Sequence, residues 1–96
     1  MKLERTDDIV RIALTDADEV GGLDADKILA QLVPSDAAIR LDLSAVPLLR
    51  SAELAALVEV HKGLLKRGKD FALTGLNEGN RKLLRLTRLD QLFQVL

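Results

Sequence analysis

A chain of 96 residues has room for one hydrophobic core, so a single domain over residues 1–96 is expected. With 48% hydrophobic and 30% charged residues and a net charge of −1, it has neither the make-up of a disordered tail nor the basic excess that draws proteins to nucleic acid or anionic lipid. The absence of cysteine removes disulfides, thiol catalysis and thiolate metal sites together.

In chain order, Lys2 to Thr6 and Ile9 to Leu14 read as short strands joined at Asp7-Asp8. Thr15 to Gly22 is polar and acidic, closes on Gly-Gly, and is expected to be a loop. Asp24 is placed to cap a helix whose inner face would carry Ile28, Leu29, Leu32 and Val33, with Pro34-Ser35 stopping it. Ala38 to Leu43 reads as an apolar strand, and Ser44 marks a bend before the apolar run Val46 to Leu49. The strongest helical signal follows. Leu54, Leu57, Val58, His61, Leu64 and Leu65 recur at steps of three and four, and Gly68, preceded by Lys66 and Arg67, ends the pattern. Phe71 to Thr74 reads as a buried strand with Gly75 at its turn. Asn77 to Leu86 predicts a further helix, with Leu83, Leu84 and Leu86 turned inward, and Leu92 to Leu96 supplies an edge strand. The order ββαβαβαβ is that of an α/β domain, a mixed, mostly parallel sheet flanked by α-helices.

The chain's chemistry is sparse. Phe71 and Phe93 are the only aromatics, so the core is aliphatic and stacking platforms for single-stranded nucleic acid are excluded. The basic clusters Lys62 to Lys69 and Arg81 to Arg88 are interleaved with leucines and read as solvated helix faces. No apolar run approaches the roughly 18 residues of a membrane span, and MKLERTDD is too charged for a secretory signal; a soluble cytoplasmic protein is expected, without membrane insertion. His61 is the only histidine and sits on an apolar stripe, which suits a packed residue better than a metal ligand. It also lies about three turns from Ser51, too far to act as its base. No phosphate-cradling glycine loop and no GxSxG elbow is present. Neither a cofactor nor enzymatic catalysis is expected.

Ser51 stands where a helix begins, and that position has two meanings. Serine is a preferred N-cap, worth about 1 kcal/mol over alanine. Unpaired N–H groups and the positive dipole end would equally stabilise a phosphate on its hydroxyl. Local physics leaves both open.

The residues around it resemble a known pattern. Asp42-Leu43-Ser44, Val46, Arg50-Ser51, Leu54 and Leu57 are similar to the D-L-S-x-V-x-x-[IL]-D-S-[ST]-G-L-x-x-L signature of the STAS domain, the family of sulfate transporter and anti-sigma factor antagonist modules. His61-Lys62, Lys66-Arg67-Gly68, Leu73-Thr74-Gly75-Leu76 and the run Leu83-Leu84-x-Leu86-Thr87-x-Leu89-x-x-Leu92-Phe93 extend the likeness over Ile39 to Val95. The resemblance implies a STAS-like sheet with Ser51 at the start of its second helix. It implies a non-enzymatic regulator of the anti-sigma factor antagonist type, which binds a kinase-like anti-sigma factor and is released when the serine at the Ser51 position is phosphorylated. A phosphatase resets the switch. The implied partner-binding residues are Asp42, Ser44, Arg50, Ser51, Ala52, Glu53 and Ala55, with Ser51 the candidate phosphorylation site.

The sequence departs from the pattern beside that serine. Arg50 replaces the family's Asp, Ala52 its Ser/Thr and Glu53 its Gly, and Thr15-Asp16-Ala17-Asp18-Glu19 stands where an early G-E-L-D turn is usual. Arg50 would attract a phosphate on Ser51, and Glu53 would repel it. A second reading of the resemblance is the STAS subunit of a bacterial lipid-transport ABC complex, docked on its ATPase without a switch. A third is a chemotaxis or stressosome-like scaffold.

Overall fold

The computed structural model describes residues 2–14 and 24–96. The opening runs form β1 (Lys2–Thr6) and β2 (Ile9–Ala13), antiparallel across a turn in which Asp7 takes a left-handed φ of 55°. β3 (Ala38–Asp42), β4 (Asp70–Thr74) and β5 (Gln94–Val95) then add in parallel, giving the order β1-β2-β3-β4-β5. The expected ββαβαβαβ order is therefore present. The expected loop Thr15 to Gly22, and with it the Thr15–Glu19 departure, lies outside the described residues.

Parallel neighbours require crossovers, and among the described residues three helices supply them: α1 (Ala25–Ala30), α2 (Ser51–Lys66) and α3 (Glu78–Leu86). Each crossover steps to the next strand in the same direction, and right-handed connections then place their helices on one side of the sheet. The core bears this out. Val10, Ile39 and Phe71 stand in one row of the sheet, and Ile12, Leu41 and Leu73 in the next. Both rows pack in a single buried cluster with Ile28 of α1, Leu57, Val60 and Leu64 of α2, and Leu84 of α3. On the opposite face the register sets Arg11 beside Arg40, both exposed.

The ends of the helices follow their sequence signals. Asp24 caps α1 by accepting the Lys27 N–H. Gly68, at φ 68°, closes α2 with its N–H on the Leu65 carbonyl, while Lys69 N–H reaches back to Leu64. Phe93 meets both Phe71 and His61 edge-to-face, each at 5.7 Å, so the histidine is a half-buried packing residue.

Several expectations about which residues face inward need correction. α1 ends at Ala30, so Leu32 and Val33 lie beyond it, and Val33 is exposed. On α2, Val60 is fully buried and Leu65 is exposed. Leu65 sits about 100° round the helix from Leu64, past the rim of an arc centred on Leu57, Val60 and Leu64. Leu86 is likewise exposed, at the last position of α3. The final strand is shorter than expected. Arg88 turns left-handed at φ 60° and starts a 3₁₀ turn, Leu89–Gln91, which consumes the approach to β5 and delivers Phe93 to the core.

A buried carboxylate fastens β1 to the α1–β3 connection. Asp36, 2% exposed, accepts Arg5 Nε at 3.0 Å and a second guanidinium nitrogen at 3.2 Å. It also accepts the Val33 N–H at 2.9 Å, while Lys69 Nζ donates to its backbone carbonyl. The Arg5 hydrogen bonds, reinforced by Val33 and the nearby Lys69 charge, outweigh burial and hold the Asp36 carboxyl below the ordinary carboxylate range. A depressed folded pKa means that the stabilisation is complete above the unfolded value, about 4, and fades as pH falls from there through the folded value. Asp36→Asn is therefore expected to cost about 1.5–3 kcal/mol at pH 7, and its gap from wild type should narrow as urea denaturation is repeated toward pH 3. A gap independent of pH would exclude this role for the ion pair.

Candidate protein-docking site

The segment that precedes α2 is built from the C-terminal end of β3. Asp42 Oδ1 accepts the Ser44 N–H at 2.9 Å, which turns the chain out of the sheet. Gly75, just past β4, backs this turn at φ 70°, and a Cβ there would lie 2.6 Å from Asp42 Oδ1. The chain then bends, with Val46 N–H on the Leu43 carbonyl, buries Val46 and Leu49, and exposes Leu48. Both turns lie at the C-terminal ends of parallel strands, the edge where open α/β sheets carry their sites.

α2 begins with Ser51. The cap position belongs to Arg50, whose extended backbone (φ −100°, ψ 175°) precedes the first turn and whose side chain makes no capping hydrogen bond. The serine therefore sits one position inside the helix and does not cap it. It is exposed, as are Ala52 and Ala55. Glu53, in the same turn, is largely covered and lies 3.8 Å from the exposed Arg50 guanidinium. The pair is a weak, long ion pair, but it joins the two charged departures beside Ser51 into one feature. The carboxylate suits the positive end of the helix, and the arginine offsets its charge toward solvent.

The structure thus gathers Arg50, Ser51, Ala52, Glu53 and Ala55 on the first turns of α2, while Asp42 and Ser44 stand at the far end of the same loop. The family model described as "Mlab, STAS domain" matches residues 4–95. The chain belongs to the STAS family. Solved STAS and related structures share its fold. A STAS-domain anti-sigma-factor antagonist protein of Planctomyces limnophilus superposes with a TM-score of 0.77 at 19% identity, over 98% of this chain and 86% of that one. An anti-sigma factor antagonist of Mycobacterium paratuberculosis gives 0.71 at 24% identity, over 98% and 81%. A candidate anti-sigma factor antagonist of Thermotoga maritima gives 0.72 at 24%, over 98% and 83%. At these identities the likeness establishes the fold. Among the described residues, no helix of this STAS domain is long and apolar enough to cross a membrane.

Sequence reasoning passed over a second layer. Asn80 of α3 is fully buried, and its side chain binds the backbone of the loop before Ser51. The signal was present: Asn80 precedes Leu83 and Leu84 by three and four residues, which puts a polar amide on the inward stripe of α3. A polar residue on such a stripe needs a partner. Leu48, exposed within an otherwise apolar run, carried no periodic signal.

Proposed function

We propose that this STAS domain is a non-enzymatic, cytoplasmic docking protein of the anti-sigma factor antagonist type, which presents the Ser51 loop and the first turns of α2 to a kinase-like anti-sigma factor. The observation that carries the reading is the position of Ser51, exposed in the first turn of α2 directly after a loop anchored to the core at Val46 and Leu49. A hydroxyl so placed is open to a kinase. A phosphate there would add about two negative charges in the middle of the docking surface, disfavouring the complex through desolvation and repulsion. Arg50 and Glu53 lie on either side in sequence, and their mutual pairing lowers the net field that either would impose on that phosphate.

The test is reconstitution with a kinase-like anti-sigma factor recovered by pull-down from the source organism. Ser51→Glu is expected to weaken binding at least about tenfold by calorimetry, with Ser51→Ala close to wild type. Equal affinity of all three would remove the switch. The residues beside Ser51 also favour a second reading, in which the domain docks on the ATPase of a lipid-transport ABC complex. Arg50, Ala52 and Glu53 replace the residues that flank the serine in the switched pattern, and a constitutive surface needs no kinase to recognise it. Recovery of an ATPase with unmodified Ser51 would select that reading.

A further inference from the structure

We propose that Asn80 is a positioning residue that preassembles the docking loop and holds Leu48 out as its apolar anchor, to be received in an apolar pocket of the kinase-like anti-sigma factor. The inference rests on the docking role proposed above and adds a residue pair to it.

The side chain of Asn80 is fully buried, yet both of its polar ends are satisfied. Oδ1 accepts the Leu49 N–H at 2.9 Å, and Nδ2 donates to the Val46 carbonyl at 3.0 Å. Exchanging the oxygen and nitrogen would face donor with donor and acceptor with acceptor, so the chemistry allows one orientation only. Asn77, the cap of α3, works in parallel. Its Oδ1 accepts the Asn80 N–H at 2.8 Å, while its Nδ2 donates to the Pro47 carbonyl at 2.9 Å. The start of α3 thereby grips the loop at Val46, Pro47 and Leu49.

That grip determines where Leu48 goes. The residues on either side of the Pro47-Leu48 pair, Val46 and Leu49, are seated in the core at 5% and 1% exposure, whereas Leu48 is 61% exposed. A loop free to move would turn a leucine of this size against the nearby core, since leaving it in water forgoes about 1.5–3 kcal/mol of burial. Here the backbone on both sides is fixed, so the side chain is displayed in a set position. A rigidly presented apolar side chain is how interfaces obtain an anchor with little ordering cost on association. Its surroundings fit a protein partner. Ala52 and Ala55 are exposed and small, allowing close approach, and the nearby charges of Arg50 and Glu53 balance.

The experiment compares wild type with Asn80→Leu, Leu48→Ser and, as a control, Leu86→Ser, which alters an exposed leucine at the end of α3. Amide exchange is followed on the isolated protein, and affinity is measured by calorimetry against the purified kinase-like anti-sigma factor. The Leu49 amide should exchange about a hundredfold faster in Asn80→Leu while Leu41 and Leu73 keep their protection. Affinity should fall at least about tenfold in both Asn80→Leu and Leu48→Ser and stay at the wild-type value in Leu86→Ser. Unchanged Leu49 exchange in Asn80→Leu, or unchanged affinity in Leu48→Ser, overturns the proposal. If Asn80→Leu also loses protection at Leu41 and Leu73, Leu48→Ser, altered only at the surface, decides the anchor alone. A wild-type chain that does not bind that anti-sigma factor instead overturns the docking role on which the anchor depends, an outcome separate from an unchanged affinity in Leu48→Ser.

Discussion

Leu41→Ala is expected to lower the stability of this domain by about 2–5 kcal/mol, seen as a fall in Tm of more than about 10 °C. Leu41 is fully buried at the middle of the sheet, with Ile12 on one side in register and Leu73 on the other. Truncation leaves a cavity that neither neighbouring strand can close, because both are held by their ladders. Leu86→Ala, made at an exposed leucine, should change stability by less than about 0.5 kcal/mol. Equal effects of the two substitutions in thermal melts would contradict the core described above.

Gly75→Val should be nearly as damaging, at about 2–4 kcal/mol. The position carries two independent costs. Its φ of 70° lies in the left-handed region that a β-branched residue strongly avoids, and a Cβ would fall 2.6 Å from Asp42 Oδ1 and 3.0 Å from the Ser44 backbone nitrogen. Asp42 cannot swing away without giving up the Ser44 N–H that it accepts. The strain is therefore delivered to the turn that begins the loop before Ser51. Denaturant titration measures the loss of stability. The accompanying change should appear as amide shifts at Ser44 and Val46, and their absence would mean that the turn absorbs the side chain elsewhere.

Much of the fold could be read before any coordinates. Asp24, Gly68 and Gly75 act through local rules of capping and backbone handedness, and each does what its residue type suggests. Period-two and period-3.6 patterns located the main strands and helices for the same reason: burial on one face is a local signature. What escaped is non-local. Leu65 and Leu86 continue their apolar patterns, and only the curvature of the core decides that they face water. Asn80 meets a loop some thirty residues earlier in the chain, a contact that no window along the sequence contains. In the candidate site, the first turn of α2 was visible from its motif. The removal of Ser51 from the cap position was not, because Arg50 has no side-chain chemistry that announces a cap.

The strand that completes the sheet is a stub. β5 pairs with β4 only at Ala72 and Leu73, and the Leu96 N–H adds one further bond to Leu73. At the opposite flank, β1 meets water with Lys2 and Glu4, charges that discourage foreign chains from adding on. One border is thus guarded by electrostatics and the other by a short piece of its own chain. Peel that piece away, and the ribbon Phe71–Leu73 becomes a template for lateral stacking into aggregates.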